Sequence, residues 1–433
     1  MINDLTILQT SNFTQMLRQC IHCGMCLQAC PTYNVFGTEV DGPRGRIALI
    51  RAASEGKLSL GEVQNTLSRH ILLCLACRSC ETACPSGVKY GAIIEATRIL
   101  VEHNRKPGIP ERFLRWLGIK QLMPNLWLLK LLARILRLYE VIGLQHLVRK
   151  LNTLPATLNS METILPDITL NYINPKKCFP PSGQKRGTLS FFTGCIQEAF
   201  LANVNQATLR VLQKNGYEIL IPSKQVCCGA AHLHLGDKDG AQQLARVNID
   251  AFLSLNCDSI ICNAGGCGVC LKEYPQLLAD DPIYFQRAQE FSLKIKDISE
   301  FLVDHLSVPP LGIVKARTVY SDSCHLRHGQ KVIKPPRQLL KMVPGIQLVE
   351  LSLPDRCCGS AGVYNIAHVE VANAILDTKM ADIANTGAEL IITSNTGCHM
   401  QLLAGVRRAG LKAKVMHAVE VIDLSYRNNN QYS

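Results

Sequence analysis

The run CIHCGMCLQACP, residues 20–31, sets Cys20, Cys23, Cys26 and Cys30 ahead of Pro31, and CLACRSCETACP, residues 74–85, repeats the spacing with Cys74, Cys77, Cys80, Cys84 and Pro85. Two-residue gaps turn three successive sulfurs toward one centre, as the corners of an iron–sulfur cube require. The fourth cysteine, three residues further on, reaches the other cube. The expected ligand sets therefore cross: Cys20, Cys23, Cys26 and Cys84 around one 4Fe–4S cluster, and Cys74, Cys77, Cys80 and Cys30 around the second. Zinc modules instead join two CxxC pairs a dozen or more residues apart, and three cysteines within seven positions suit a cube better than a tetrahedron.

The later cysteines follow a longer rhythm. Cys195, Cys227, Cys228 and Cys267 return as Cys324, Cys357, Cys358 and Cys398, at offsets of 129, 130, 130 and 131 residues. Both adjacent pairs continue into glycine, as Cys-Cys-Gly. Four cysteines kept in step across two halves indicate an internal duplication. Adjacent cysteines bond each other poorly but can both ligate a multi-iron cluster; the alternative is two sets of buried, inert thiols. Cys178, Cys257 and Cys262 have no cysteine partner in the repeat and read as structural or incidental.

The elements that position these thiols alternate. TLSFFTGC reads as a strand running to Cys195, with a helix near 199–214; YEILIP is a strand before Cys227; a helix near 238–254 precedes the strand SIICNAGGC, ending at Cys267. The second half gives TVYSDSC, a helix near 332–343, IQLVELSL, a helix near 367–384, and ELIITSNTGC. In open α/β sheets functional groups gather where strands end, which would bring each half's thiols to one place. Between the two N-terminal runs, GPRGRIALIRAASEG and LGEVQNTLSRHILL carry apolar spacings of three and four and predict two helices. Arg44 and Arg46 open the first, either orienting a neighbouring group or standing in solvent.

The chain has 433 residues and 20 cysteines, with an apolar fraction of 47%, enough for about three domains with real cores. The first twenty residues hold no basic side chain before Arg18 and no sustained apolar run, so they do not read as an export signal. Clustered thiols without export favour metal or redox chemistry over disulfides, and a cytoplasmic protein. The longest charge-free run, residues 390–406, contains Thr393, Ser394, Asn395, Thr396, His399 and Gln401, too polar for the roughly 20 apolar residues of a bilayer span.

The net charge of +12 is concentrated: residues 101–150 hold ten Lys and Arg against Glu102, Glu111 and Glu140. Within them Leu128, Leu132, Ile135, Tyr139 and Ile142 form an apolar seam, with Lys130, Arg134 and Arg137 on another side and Trp116 and Trp127 nearby. Such a basic amphipathic helix lies on an anionic membrane or packs on the protein with a solvated basic face. No basic or aromatic nucleic-acid motif accompanies the charge, and nucleic acid would leave the cysteines unexplained.

Two cubane runs followed by two Cys…Cys-Cys-Gly…Cys repeats resemble the iron–sulfur subunits of glycolate oxidases. The wider family includes the C subunit of anaerobic glycerol-3-phosphate dehydrogenase and the B subunit of heterodisulfide reductase. DGPRGRI, CCGAAHLHLG, CHLRHGQK and CCGSAGVYN look most like the glycolate oxidase branch. The resemblance implies a multidomain α+β chain. A helical two-cluster ferredoxin domain spans 1–105, basic amphipathic helices and a Pro-rich linker 106–186, and two duplicated α/β CCG domains, like heterodisulfide reductase B, 187–312 and 313–433. It also implies electron transfer from FAD-binding partner subunits toward quinone, peripherally at the inner membrane, with no catalytic residue on this chain. No dinucleotide fingerprint appears here, so FAD belongs to the partners.

Heterodisulfide reductase B uses five cysteines per CCG repeat to hold a non-cubane cluster. Cys195, Cys227, Cys228, Cys267 and Cys270 match all five; Cys324, Cys357, Cys358 and Cys398 match four, with Gln401 in the fifth place. One cluster is expected in the first repeat, and the second site is left open. His232, His234, His325 and His328 lie close enough in sequence to tune a cluster or relay a proton, or to serve only as hydrogen-bonding groups. The open alternatives are a subunit of a D-lactate or glycerol-3-phosphate dehydrogenase, and a catalytic heterodisulfide reductase.

Overall fold

Past residue 187 the alternating apolar strands and amphipathic helices fold into two four-stranded sheets. The computed structural model describes residues 10–429 apart from 106, 152, 153, 176 and 177. The first sheet comprises β1 (Gly187–Phe192), β2 (Tyr217–Leu220), β3 (Ser259–Cys262) and β4 (Ile295–Asp297); the second comprises β5 (Ala316–Tyr320), β6 (Ile346–Val349), β7 (Leu390–Thr393) and β8 (Lys414–His417). Their orders are β2-β1-β3-β4 and β6-β5-β7-β8, and every pairing is parallel. The central strands are covered on both faces, which is why they read as continuous apolar runs; Leu189, Phe191, Ile260, Ile261, Ile391 and Ile392 are wholly buried.

All six strands expected from sequence are present. β4 and β8 are additions to that expectation: IKD and KVMH are too short and mixed to signal a strand, and only pairing with β3 and β7 makes them so. SIICNAGGC and ELIITSNTGC also differ from expectation. Their strands stop at Cys262 and Thr393, and Cys267 and Cys398 sit instead in the first turns of the helices Gly265–Lys272 and Thr396–Ala409.

The two halves share one core. Leu189, Phe191 and Ile261 of the first sheet pack with Tyr320, Leu390 and Ile392 of the second, and with Val421 and Ile422 of the C-terminal helix. Each such side chain contributes about 1.5–3 kcal/mol by leaving water. Arg210 Nε and Nη2 donate to Asp423 Oδ1 and Oδ2 at 2.8 and 2.7 Å across the same junction.

The N-terminal domain is helical. Ser11–Arg18, Pro43–Ser54, a bent segment from Leu60 to Leu72 and Tyr90–Asn104 bury Leu17, Ile50, Leu67, Ile71, Ile93 and Ile94 together. Ser59 and Glu62 form a capping box at the start of the bent segment, which satisfies two otherwise orphaned backbone N–H groups.

The helix Leu126–Val141 is amphipathic, but rotated from the expected seam. It buries Leu129 and Ala133 against Ile168, Ala199 and Phe200. Lys130 points inward: Nζ donates to Glu198 Oε1 at 3.0 Å and lies 4.5 Å over the Tyr172 ring. Glu198 is buried, and a buried carboxylate demands a cation, so Lys130 is drawn from the solvated face where its spacing put it. Trp127, Leu131, Ile135, Leu138, Val141 and Ile142 are left exposed.

Candidate iron–sulfur centres

The loop geometry of both cysteine runs is the same. His22 and Gly24 hold φ of 56° and 84°, and Ala76 and Arg78 hold 52° and 61°. These left-handed residues curl each run so that backbone N–H groups face inward, a concavity suited to an anionic cluster; Ala76 N donates to Cys74 Sγ at 3.3 Å. Pro31 then starts the helix Pro31–Phe36 immediately after Cys30, a first-turn position that needs no N–H.

The structure gathers the two expected sets around separate cavities. Cys20, Cys23, Cys26 and Cys84 ring one cavity with His22, Gly24 and Arg44, and Cys30, Cys74, Cys77 and Cys80 ring another with Thr32, Arg46 and Tyr90. No group of three or more His, Cys, Asp or Glu side chains among the described residues forms a site for a single metal ion; the sulfurs surround voids. Sets of four cysteines around a void, served by inward N–H groups, fit a 4Fe–4S cube. The environments differ, since Cys23 is exposed whereas Cys30, Cys74, Cys77 and Cys80 are buried. Burial pushes the Cys77 and Cys80 thiols well up.

The two arginines also divide. Arg44 is partly exposed, paired with Glu39, and donates from Nη1 to His22 O at 2.7 Å. Arg46 is wholly buried: Nε donates to His70 O at 2.7 Å, and Nη1 and Nη2 to Thr32 Oγ1 at 3.1 Å. It is not a solvated arginine but a fixed positive charge beside the second void, where it favours added electrons.

The CCG cysteines meet where the strand order reverses. In an order of 2-1-3-4 the switch lies between the first and third strands, where α/β sheets place their sites. Cys195 follows β1 and Cys267 follows β3; Cys324 and Cys398 follow β5 and β7. The CCG glycines hold φ of 90° and 85°, and a Cβ on Gly359 would lie 2.5 Å from Ala372 O. Glycine therefore lets the paired cysteines turn in beside the next helix.

Both repeats open onto one cavity of about 250 Å³ lined by Cys195, Cys227, Cys228 and Cys267 from the first and Cys324, Cys357, Cys358 and Cys398 from the second. Cys195 and Cys227 sulfurs are 3.4 Å apart. Thiols of Cys227, Cys267 and Cys270 hold Cys228 well below the usual thiol range, and those of Cys324 and Cys358 do the same for Cys357. Cys270 lies beneath the first set, its thiol 3.1 Å from Cys228 O. In the matching place Gln401 is buried and its Oε1 accepts from Asn365 Nδ2 at 2.8 Å.

Of the four histidines, His234 and His325 line the shared cavity, stacked with centroids 5.6 Å apart. Burial lowers the pKa of both, so both are neutral at neutral pH, and His325 carries its proton on Nε2 to donate to Ala76 O at 3.1 Å. His328 bonds Thr82 Oγ1 at 2.8 Å, and His232 is buried away from the cavity. Cys262 is wholly inside the first-repeat core, its thiol pushed up to about 12 by burial, Cys257 is buried and Cys178 exposed; none lines the cavity. Sequence reasoning did not single out Gln197 and Asn365. Both are buried at the cavity wall, with Gln197 Nε2 and Asn365 Oδ1 lacking a partner among the described residues.

Residues 16–88 match the family described as "4Fe-4S dicluster domain", residues 189–272 and 318–403 each match "Cysteine-rich domain", and residues 110–165 match "Glycolate oxidase iron-sulfur subunit, linker region". Fold and cysteine sets thus define an iron–sulfur protein of one dicluster domain and two CCG domains. The chain is 42% identical over 416 residues to the probable glycolate oxidase iron-sulfur subunit of Bacillus subtilis, covering 94% of this chain and 93% of that protein. It is 34% identical over 415 residues to the glycolate oxidase iron-sulfur subunit of Escherichia coli, covering 94% of each. The chain belongs to the family of glycolate oxidase iron–sulfur subunits, electron-transfer components of oxidoreductase complexes. At 27% identity over 420 residues, 96% of this chain and 74% of that protein, it is also similar to the B subunit of the fumarate reductase (CoM/CoB) of Methanothermobacter marburgensis. A crystal structure of a hypothetical protein from Helicobacter pylori shares the fold alone, with a TM-score of 0.52 and 9% identity over 97% of this chain and 76% of that one.

Proposed function

We propose that this chain carries electrons from an FAD-binding partner subunit, which oxidises glycolate, a 2-hydroxy acid, to glyoxylate, toward the membrane quinone pool. The observation that carries the reading is the set of neighbouring cysteine-lined cavities. One ring includes the exposed Cys23, the other is made of buried cysteines, and this inner ring shares Leu75 as a wall with the CCG cavity. Iron–sulfur potentials span about −700 to +450 mV and respond to burial and neighbouring charge, so neighbouring sets that are differently buried suit stepwise electron transfer.

Cys20, Cys23, Cys26 and Cys84 hold the outer 4Fe–4S cluster and Cys74, Cys77, Cys80 and Cys30 the inner one. Cys195, Cys227, Cys228, Cys267 and Cys270 hold a further iron–sulfur centre in the first repeat. These residues orient and insulate the redox groups; substrate chemistry and FAD stay on the partners. The protein acts in the cytoplasm, peripherally on the inner membrane. No described helix is long and apolar enough to cross a membrane. The attaching surface is the exposed Trp127, Leu131, Ile135 and Leu138 with Trp116 and Phe113, a Trp-rich apolar face among cations of the kind that settles on anionic lipid.

The deciding experiment is an anaerobic pull-down of tagged chain, with flavin analysis and assays on glycolate, D-lactate and glycerol 3-phosphate. Co-purified FAD with glycolate-dependent dye reduction supports the proposal. D-lactate activity instead would make the chain a subunit of a D-lactate dehydrogenase. A cavity shared by two thiol sets also suits disulfide cleavage, so reduction of a small heterodisulfide without flavin partners would replace the proposal.

A further inference from the structure

The two CCG repeats do not stand equally to the inner cysteine ring. Leu75 and Cys77 pack in one buried cluster with Cys357, Tyr364 and Ile375, with Cys324 against it. His325, next to Cys324 in the chain, donates from Nε2 to Ala76 O at 3.1 Å, beside Cys77 in the inner run. Tyr364 OH donates to Leu73 O at 3.1 Å and His328 bonds Thr82 at 2.8 Å, fixing the contact at both ends. The first repeat touches this region through polar side chains, Glu273 accepting from Arg78 and His234 from Arg98. Its cysteines pack separately, with Phe192, Phe252 and Tyr274.

We propose that the second repeat, although it lacks the fifth cysteine, is the redox-active neighbour of the inner cluster and receives its electrons across the contact of Leu75, Ala76 and Cys77 with His325 and Cys357. One electron leaves on the Cys77 side and is gained on the Cys357 side; no bond or proton changes place, and the reduced flavin of the partner supplies it through the outer ring. Cys324, Cys357, Cys358 and Cys398 supply four thiolates, the number a 4Fe–4S cluster takes, and Gln401, in the fifth place, is held by a hydrogen bond from Asn365.

This inference rests on the electron-transfer reading, and the test separates the two. The full chain is purified anaerobically with its clusters, its iron counted, and the midpoint potential of the inner cluster followed by EPR during a redox titration, for wild type, Cys398→Ser and Cys267→Ser. The inference expects about 16 irons per chain in wild type, four for each cysteine set. Cys398→Ser should lose iron and move the inner potential, while Cys267→Ser loses iron and leaves that potential in place. An unmoved potential in Cys398→Ser, or movement only in Cys267→Ser, overturns the inference; wild-type protein without two cubane signals overturns the reading beneath it. Should Cys398→Ser not fold, Cys324→Ser takes its place with the same expected outcomes.

Discussion

Arg78 Nη2 donates to Glu273 Oε2 at 2.8 Å, with Nη1 on Oε1, and so ties the inner cysteine run to the first CCG repeat across 195 residues of chain. Arg78 does this from a φ of 61°, at the position where the first run has Gly24. A β-carbon there costs about 1–2 kcal/mol. Gly91 leaves the space the guanidinium occupies, since a Cβ on it would lie 2.6 Å from Arg78 Nε.

Arg78→Gly relieves the backbone strain and removes the ion pair together. Glu273 keeps partial access to water, so a net loss of about 1–2 kcal/mol is expected, read as a lower urea midpoint. A midpoint at or above wild type would mean that strain outweighs the tie.

Burial predicts an order of damage. Cys23 is exposed while the four inner cysteines are buried, so brief air exposure should destroy the outer cluster first. Timed alkylation with mass spectrometry should mark Cys23 ahead of Cys74, Cys77 and Cys80. Simultaneous labelling would mean that both rings open together.

Lys130→Met leaves Glu198 buried with, among the described residues, the Ile173 N–H and Asn205 Nδ2 donors, each at 2.8 Å. Loss of the cation should cost about 2–3 kcal/mol. Leu131→Gln, on the exposed face of the same helix, should change stability by less than about 0.5 kcal/mol yet weaken binding to anionic vesicles. The reverse pattern in denaturation and flotation measurements would restore the orientation expected from spacing.

His417 makes stability fall on acidification. Burial pushes it from 6.5 to about 4, with Nε2 donating to Asn263 O at 2.8 Å. The unfolded chain therefore takes up the proton first. Its contribution is complete above about pH 6.5 and is lost progressively toward pH 4, about 3 kcal/mol over the interval. His399, pushed to about 3 by burial and by His417, adds a slope of the same sign. Urea midpoints between pH 4 and 7 should flatten in His417→Gln, which keeps a donor for Asn263; an unchanged slope would assign the pH dependence elsewhere.

The cysteine chemistry was legible in the sequence because a cubane needs its ligands at short, fixed intervals. The 2-2-3 spacing alone set which thiols curl together and which one crosses, and the four-cysteine step near 130 residues revealed the duplication. Central strands were legible too, since burial on both faces demands unbroken apolar runs such as TLSFF and LIIT. β4 and β8 were not, being strands only by virtue of the neighbours they pair with. Which way Lys130 turns depended on a buried carboxylate 68 residues away. Tertiary structure alone decided that Arg46 is sealed in, that both repeats face one cavity, and that Ala76 meets His325 across 249 residues. Local spacing encodes what one loop can bind. Which loops face each other is set by the shared core and the ion pairs that close it, and no periodicity along the chain records those.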